Sequence, residues 1–303
     1  MSRGGWEGLA QVQCGLITRA QLVGCGVNRW AVRHRIDSGR WLELTPTVVA
    51  TTTGPLSREQ LKWLGVLHAG GDALLGDLTA AEHLGLRSWT RDHVTVLVTK
   101  DATPGVVEPV VFVGTRHPLK ALARRGSELP CAAIEPAVLM FAARQRSART
   151  ADGVLAAAVQ QRLTTPADLL DWIDRLRPLR GAPRMRSVLA EIGGGAHSVA
   201  ELDLGRMCRA HRIRRPDRQV RRRDATGRMR YTDGEWRLAD GRTLVLEVDG
   251  AFHMDVEHWE DDLARARALT RPDRLVVRCT SREVRDEPET VARDLIALGV
   301  PRA

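Results

Sequence analysis

Asp233, Glu247 and Asp249 are the residues of this 303-residue chain whose types and spacing point most directly to chemistry. They lie in YTDGEWRLADGRTLVLEVDGAFH, residues 231–253, which reads as two strands around a tight turn. Side chains alternate faces along a strand. Thr243, Val245, Glu247 and Asp249 therefore share one face, and Leu244, Leu246 and Val248 share the other. Carboxylates in so apolar a run need a partner. A divalent cation held by hard oxygen donors would be one.

The turn decides whether the acids meet. Ala239-Asp240-Gly241 fits a three-residue hairpin loop, a type I turn followed by glycine in the left-handed conformation. That register pairs Leu238 with Arg242 and sets Asp233 opposite Glu247, with Cβ atoms about 5 Å apart. Facing like charges destabilise a sheet unless a cation bridges them. A two-residue loop centred on Asp240-Gly241 would instead send Asp233 and Glu247 to opposite faces.

Other segments must position this hairpin. Near Gly193-Gly194-Gly195 the chain changes character, as at a linker. Ser198 and Glu201 form a capping-box pattern that opens a helix, SVAELDLGRMCRAHRI. Nine arginines then fall within residues 212–230, among them Arg215, Arg218, Arg221 and Arg222. A single-sign cluster of that density repels itself unless it meets an anion, such as a phosphate backbone or an acidic protein. A first strand is expected around Gln219–Arg223. After the hairpin come a helix over about 255–269, the strand RLVVRCT and the helix PETVARDLIALG.

Residues 9–52 read as a small winged helix-turn-helix. A helix over about Trp6–Gln13 precedes ITRAQLVGCG, a helix capped by Thr18 with Ile17, Leu22 and Val23 as its apolar positions. Asn28 caps NRWAVRHRIDSG, in which Val32 and Ile36 face inward and Arg29, Trp30, Arg33 and His34 face outward. WLELT and TVVATT form a wing around Pro46. In such a motif the second helix meets base edges, to which arginine is suited. The same face would equally serve a packing module with a solvated basic surface.

Residues 56–192 mix helices and strands, then become helical. SREQLKWLGVLHAG and LTAAEHLGL read as helices, HVTVLVTK and PVVFVGT as strands. Thr165 before Pro166 starts a helix, and Pro178 and Pro183 mark its exit. His68, His83, His93 and His117 lack paired ligand spacing and read as surface or packing residues.

The order helix, three strands, helix, strand, helix from residue 198, with an acid on the second strand and Glu-x-Asp on the third, resembles the PD-(D/E)XK nuclease superfamily. More narrowly, residues 198–300 are similar to the actinobacterial domain related to very-short-patch-repair endonucleases. The resemblance rests on Glu201, Tyr231-Thr232-Asp233, Leu246-Glu247-Val248-Asp249-Gly250 and His253. It implies Mg²⁺ or Mn²⁺ bound by Asp233 and Glu247, with the Val248 carbonyl as a third ligand, and hydrolysis of phosphodiester bonds. Glu201 then either reaches the metal through water or only caps its helix. The superfamily's lysine two residues after the Glu is replaced by Asp249, and no lysine follows Lys120. The very-short-patch relatives also lack it and use a histidine. This gives His253 a role on the attacking water or leaving oxygen, or leaves it a helix-start residue. GLITRAQLVGCGVNRWAVRHRIDSGRW resembles the winged helix of abortive-infection antitoxins from type IV toxin–antitoxin systems, which implies a toxin or defence-system partner.

Bulk properties fit an anionic partner. The formal net charge is +9 and the pI about 10.2. The chain has only three lysines, so part of that balance reflects arginine-rich coding. Five scattered cysteines, with no Cys-x-x-Cys pair, indicate neither a zinc ribbon nor a disulfide framework. No signal peptide or membrane-length apolar run is read, so a cytoplasmic setting without a membrane partner is expected.

The expected architecture is therefore α/β multidomain: a winged helix-turn-helix over 1–55, a mixed middle region over 56–192 and a PD-(D/E)XK-like unit over 193–303. Two functions follow. One is a metal-dependent DNA endonuclease or nickase. The other is an antitoxin-like DNA-binding regulator with a silent nuclease fold.

Overall fold

The computed structural model describes residues 5–193, 199–223, 227, 229–249 and 270–303. His253, Ser198, Gly194, Gly195 and the helix expected over 255–269 lie outside the described residues, as do the side chains of Asp249 and Arg230. The chain is mixed α/β and divides into two compact units, Met1–Ala182 and Pro183–Ala303.

The first unit opens with α1 (Gly5–Val12), β1 (Leu16–Thr18), α2 (Arg19–Gly24), α3 (Arg29–Asp37), β2 (Leu42–Glu43) and β3 (Val48–Ala50). The strands form an antiparallel sheet in the order β1-β3-β2. Ile17, Leu22, Val32, Trp41 and Val49 make its core. Thr18 and Gln21 close a full capping box on α2, and the Asn28 carboxamide caps α3. Two expectations need correction. Ile17 lies on β1 rather than on a helix, and Val23 is 65% exposed rather than inward. A helix of only six residues has one buried position, and Leu22 occupies it.

Next come α4 (Arg58–Ala69), β4 (Leu74–Leu75), α5 (Asp77–His83), β5 (Val94–Thr99) and β6 (Val110–Thr115). β5 and β6 are parallel, and β4 joins β5 antiparallel. Helix α4 packs on β1 and β3 of the first sheet and on β4 and β5 of the second. It comes close at Gly65, where a Cβ would lie 2.7 Å from Val96. The helices α6 (Leu119–Leu122), α7 (Ile134–Arg144), α8 (Ala148–Gln160) and α9 (Pro166–Arg175) complete the unit, with α7 packed against α5, α8 and α9. Thr165 caps α9 and Pro166 takes its first turn, as read. Pro183 does not end a helix. It lies in the first turn of α10 (Ala182–Gly193), where its missing N–H costs no intrahelical bond.

The second unit contains α11 (Val199–Ala210), β7 (Val220–Arg223), β8 (Met229–Thr232), β9 (Gly234–Arg237), β10 (Thr243–Asp249), β11 (Arg274–Thr280), α12 (Ser281–Asp286) and α13 (Pro288–Ala297). One sheet has the order β11-β10-β9, with β10 parallel to β11 and antiparallel to β9; β7 and β8 form a separate ribbon. Leu244 and Leu246 pack with Leu204, Met207 and Cys208 of α11, Val284 of α12 and Leu295 of α13. Val248 is partly buried against the same cluster. The hydrophobic side of β10 is therefore the helix-covered side. The strand expected to run through Asp233 is instead split there, β8 pairing with β7 and β9 with β10. The short helix α12 escaped the sequence reading, although its Thr280–Glu283 capping box is complete.

The five cysteines form no disulfide; Cys131, Cys208 and Cys279 are buried, and Cys14 is exposed. Among the described residues no helix is long and apolar enough to cross a membrane.

Candidate functional site

The hairpin turn sets the geometry. Leu238 N–H donates to the Arg242 carbonyl at 2.9 Å, and Gly241 has φ +85°. This is the three-residue loop. Its register pairs Arg237 with Thr243, Trp236 with Leu244, Glu235 with Val245 and Gly234 with Leu246. The next step of that register sets Asp233 opposite Glu247. There the ladder gives way to a side-chain bond: Val248 N–H donates to Asp233 Oδ2 at 2.8 Å. A carboxylate accepting a backbone N–H replaces the strand's own pairing and bends the chain between β8 and β9. Pro216 packs closely at this point: a Cβ on Gly234 would sit 3.1 Å from it.

Thr243, Val245 and Glu247 share the other face of β10 and are buried as well. Glu247 stands beside Arg278 in the parallel register, and Asp249 beside Thr280. Val248 turns its N–H to Asp233.

Glu235 belongs to the same face, and the sequence reading missed it. It is 3% exposed and one diagonal step from Glu247. Its carboxylate accepts Arg222 Nη2 at 2.7 Å, Arg222 Nε at 3.1 Å and the Thr232 hydroxyl at 2.9 Å. The hydrogen bonds it donates to Glu235 hold the Arg222 guanidinium above its usual pKa. The register that located Asp233 also locates Glu235, so the signal was present in the spacing. Glu201 is 2% exposed on α11 and accepts Gln219 Nε2 at 2.9 Å; its main-chain carbonyl takes Arg218 Nη2 at 3.2 Å.

The arginines thus sort into two groups. Arg222 and Arg218, read as phosphate contacts, bind Glu235 and the Glu201 backbone. Arg215 and Arg221 are exposed. The β7–β8 register puts Arg221 across from Tyr231 and Arg223 across from Met229. These four side chains share the outward face of the ribbon, Tyr231 being 53% exposed.

In the first unit Arg29, Trp30, Arg33 and His34 are all exposed along α3. The Arg29 guanidinium lies 5.1 Å from the centroid of the 70%-exposed Trp30 ring, and Arg33 pairs with Asp37 at 3.0 Å. Arg35 has a different role: it lies over both the Trp6 and Trp41 rings, at 5.1 and 4.7 Å. That stack fixes α1 and α3 against the chain after α3.

Among the described residues no three His, Cys, Asp or Glu side chains converge to hold a metal ion. Of the carboxylates described at the hairpin, Glu235 is held by Arg222, and Asp233 and Glu247 are hard oxygen donors of the kind Mg²⁺ takes.

No protein-family model and no curated protein matches the chain. Among solved structures, the RV2827C protein from Mycobacterium tuberculosis is similar with a TM-score of 0.42 at 17% identity, over 65% of this chain and 78% of that one.

Proposed function

We propose that the second unit is a metal-dependent phosphodiesterase of the PD-(D/E)XK type acting on DNA, and that the start of the first unit is a winged helix that reads duplex. The observation that carries the proposal is the three-residue Ala239–Gly241 loop, whose register runs as far as Gly234–Leu246 and leaves Asp233 Oδ2 2.8 Å from the Val248 N–H, next in the chain to Glu247. Asp233 and Glu247 would hold Mg²⁺ or Mn²⁺, with the Val248 carbonyl as a further oxygen donor. Such an ion supplies an activated water and neutralises charge on the phosphate. The chain's own residues do the rest. The Val248 N–H orients Asp233, Arg222 neutralises Glu235 and the Thr232 hydroxyl hydrogen-bonds it, so that Glu235 does not compete for the site. Arg215, Arg221 and Tyr231 offer phosphate contacts and a stacking face. On α3, Arg29, Trp30, Arg33 and His34 supply groove contacts.

A second reading is an antitoxin-like DNA-binding regulator with a silent second unit and a toxin or defence-system partner. It is favoured by Asp249 standing where the superfamily has lysine, with no lysine after residue 120.

Nicking of supercoiled plasmid with Mg²⁺ or Mn²⁺ separates the two. The nuclease reading requires metal-dependent cleavage that is lost in both Asp233→Ala and Glu247→Ala. Intact duplex binding with no cleavage of plasmid or mismatched duplex sinks it and favours the regulator.

A further inference from the structure

We infer that the first unit carries a separate binding site for a phosphate-bearing ligand, in the cleft beyond the carboxyl ends of β5 and β6. Lys100 follows β5, and Arg116 and His117 follow β6. Arg144 reaches the cleft from the end of α7, and Arg180 from the segment after α9. These five side chains line one concavity of about 720 Å³, and no carboxylate is among its lining residues. That is room for a nucleotide-sized molecule. Crevices outside the carboxyl ends of parallel strands are where α/β sheets take ligands.

A solvated basic surface would spread its charges over a convex face. Here they line one concavity without a carboxylate among its lining residues, so an entering anion meets several cationic side chains at once. The arrangement is also held from behind. Arg144 is paired with Asp77, a carboxylate only 7% exposed, at the start of α5. Asp77 adopts φ +49°, a left-handed backbone that non-glycine residues seldom take. The preceding Gly76 has no room for a Cβ, which would sit 2.4 Å from Leu97. Strain is thus retained where it fixes the guanidinium at the head of the cleft. Arginine forks recognise phosphate oxygens bidentately, and two exposed arginines and a lysine stand beside this one.

Free nucleotides and nucleic-acid strands both carry such a phosphate, and titration of the full chain separates the two sources. Inorganic pyrophosphate, ATP and a short single-stranded oligonucleotide are titrated by calorimetry against wild type, Arg116→Glu, Arg180→Glu and the control Arg87→Glu, which lies outside the cleft. Loss of a charge-assisted contact predicts binding weakened about tenfold in each cleft variant and unchanged in the control. Sensitivity to the cleft variants with pyrophosphate or ATP assigns a small-molecule phosphate. The same sensitivity with the oligonucleotide alone assigns a strand phosphate. Absence of binding by all three probes, or binding that the reversals do not change, overturns the proposal. Circular dichroism checks folding, and Arg116→Gln and Arg180→Gln carry the same comparison if a reversal does not fold.

Discussion

Two arginines one position apart on β7 have opposite fates, and the difference is measurable. Arg222 neutralises a buried carboxylate, whereas Arg221 points outward beside Tyr231. Removing one partner of a buried pair leaves a charge without compensation. Arg222→Ala should therefore cost about 3 kcal/mol in urea unfolding, while Arg221→Ala stays within about 0.5 kcal/mol. The binding readout should reverse the order: Arg221→Ala should lower the salt slope of DNA binding by about one unit. Equal loss of stability in both variants would refute this division. The sequence showed that arginines were dense but not which of them had acids waiting. The three-residue loop and the register from Arg237–Thr243 to Gly234–Leu246 were legible because that relation is local, set by one turn and a two-residue period. The partners of Glu235 come from β7 and from the residue ending β8, and nothing in the spacing of the hairpin announces them.

Elements were most legible where the chain carries its own stop and start signals. Thr18, Asn28 and Thr165 cap the helices expected of them. β1 was misread because three residues carry no period, and the split at Asp233 because a side chain replaces a ladder bond. Helix α4 shows a further dependence on tertiary partners. Lys62, 2% exposed, lies 2.7 Å from Glu59 and 3.1 Å from Glu82, which also takes Arg58 at 2.8 Å. Burial alone would raise the Glu82 carboxyl, but hydrogen bonds from Arg58 and Lys62 outweigh it and leave the pKa below its ordinary value. A carboxyl depressed by folding contributes stability at neutral pH that is lost as pH falls through the folded pKa. The contribution should therefore be fully present above the ordinary glutamate range and be lost as pH falls below that range, through the depressed folded value. Glu82→Gln should cost about 3 kcal/mol at neutral pH, with Glu59 left to hold the ammonium, and should flatten the acid limb of the stability profile. An unchanged acid limb in urea melts across pH would count against the cluster.

At the scale of the molecule, the chain is two cores joined at Ala182–Pro183, and each has its own two sheets and its own helices. The boundary falls about ten residues before the glycine run because α10 belongs by contact to the second unit. Composition does not mark where the packing divides. Two cores predict two unfolding transitions, and the buried cysteines allow each to be followed. Cys131 is 1% exposed in the first unit; Cys208 and Cys279 lie in the second. Burial pushes the Cys208 thiol up to about 11, so at neutral pH it stays protonated and unreactive until its surroundings open. Pulsed alkylation across a denaturant series, read by peptide mass, should yield separate curves for Cys131 and Cys208, with Cys14 modified from the outset. A single shared curve would mean that the two cores unfold as one. Each half of the molecule thus carries its own chemical clock, one that starts only when that half comes apart.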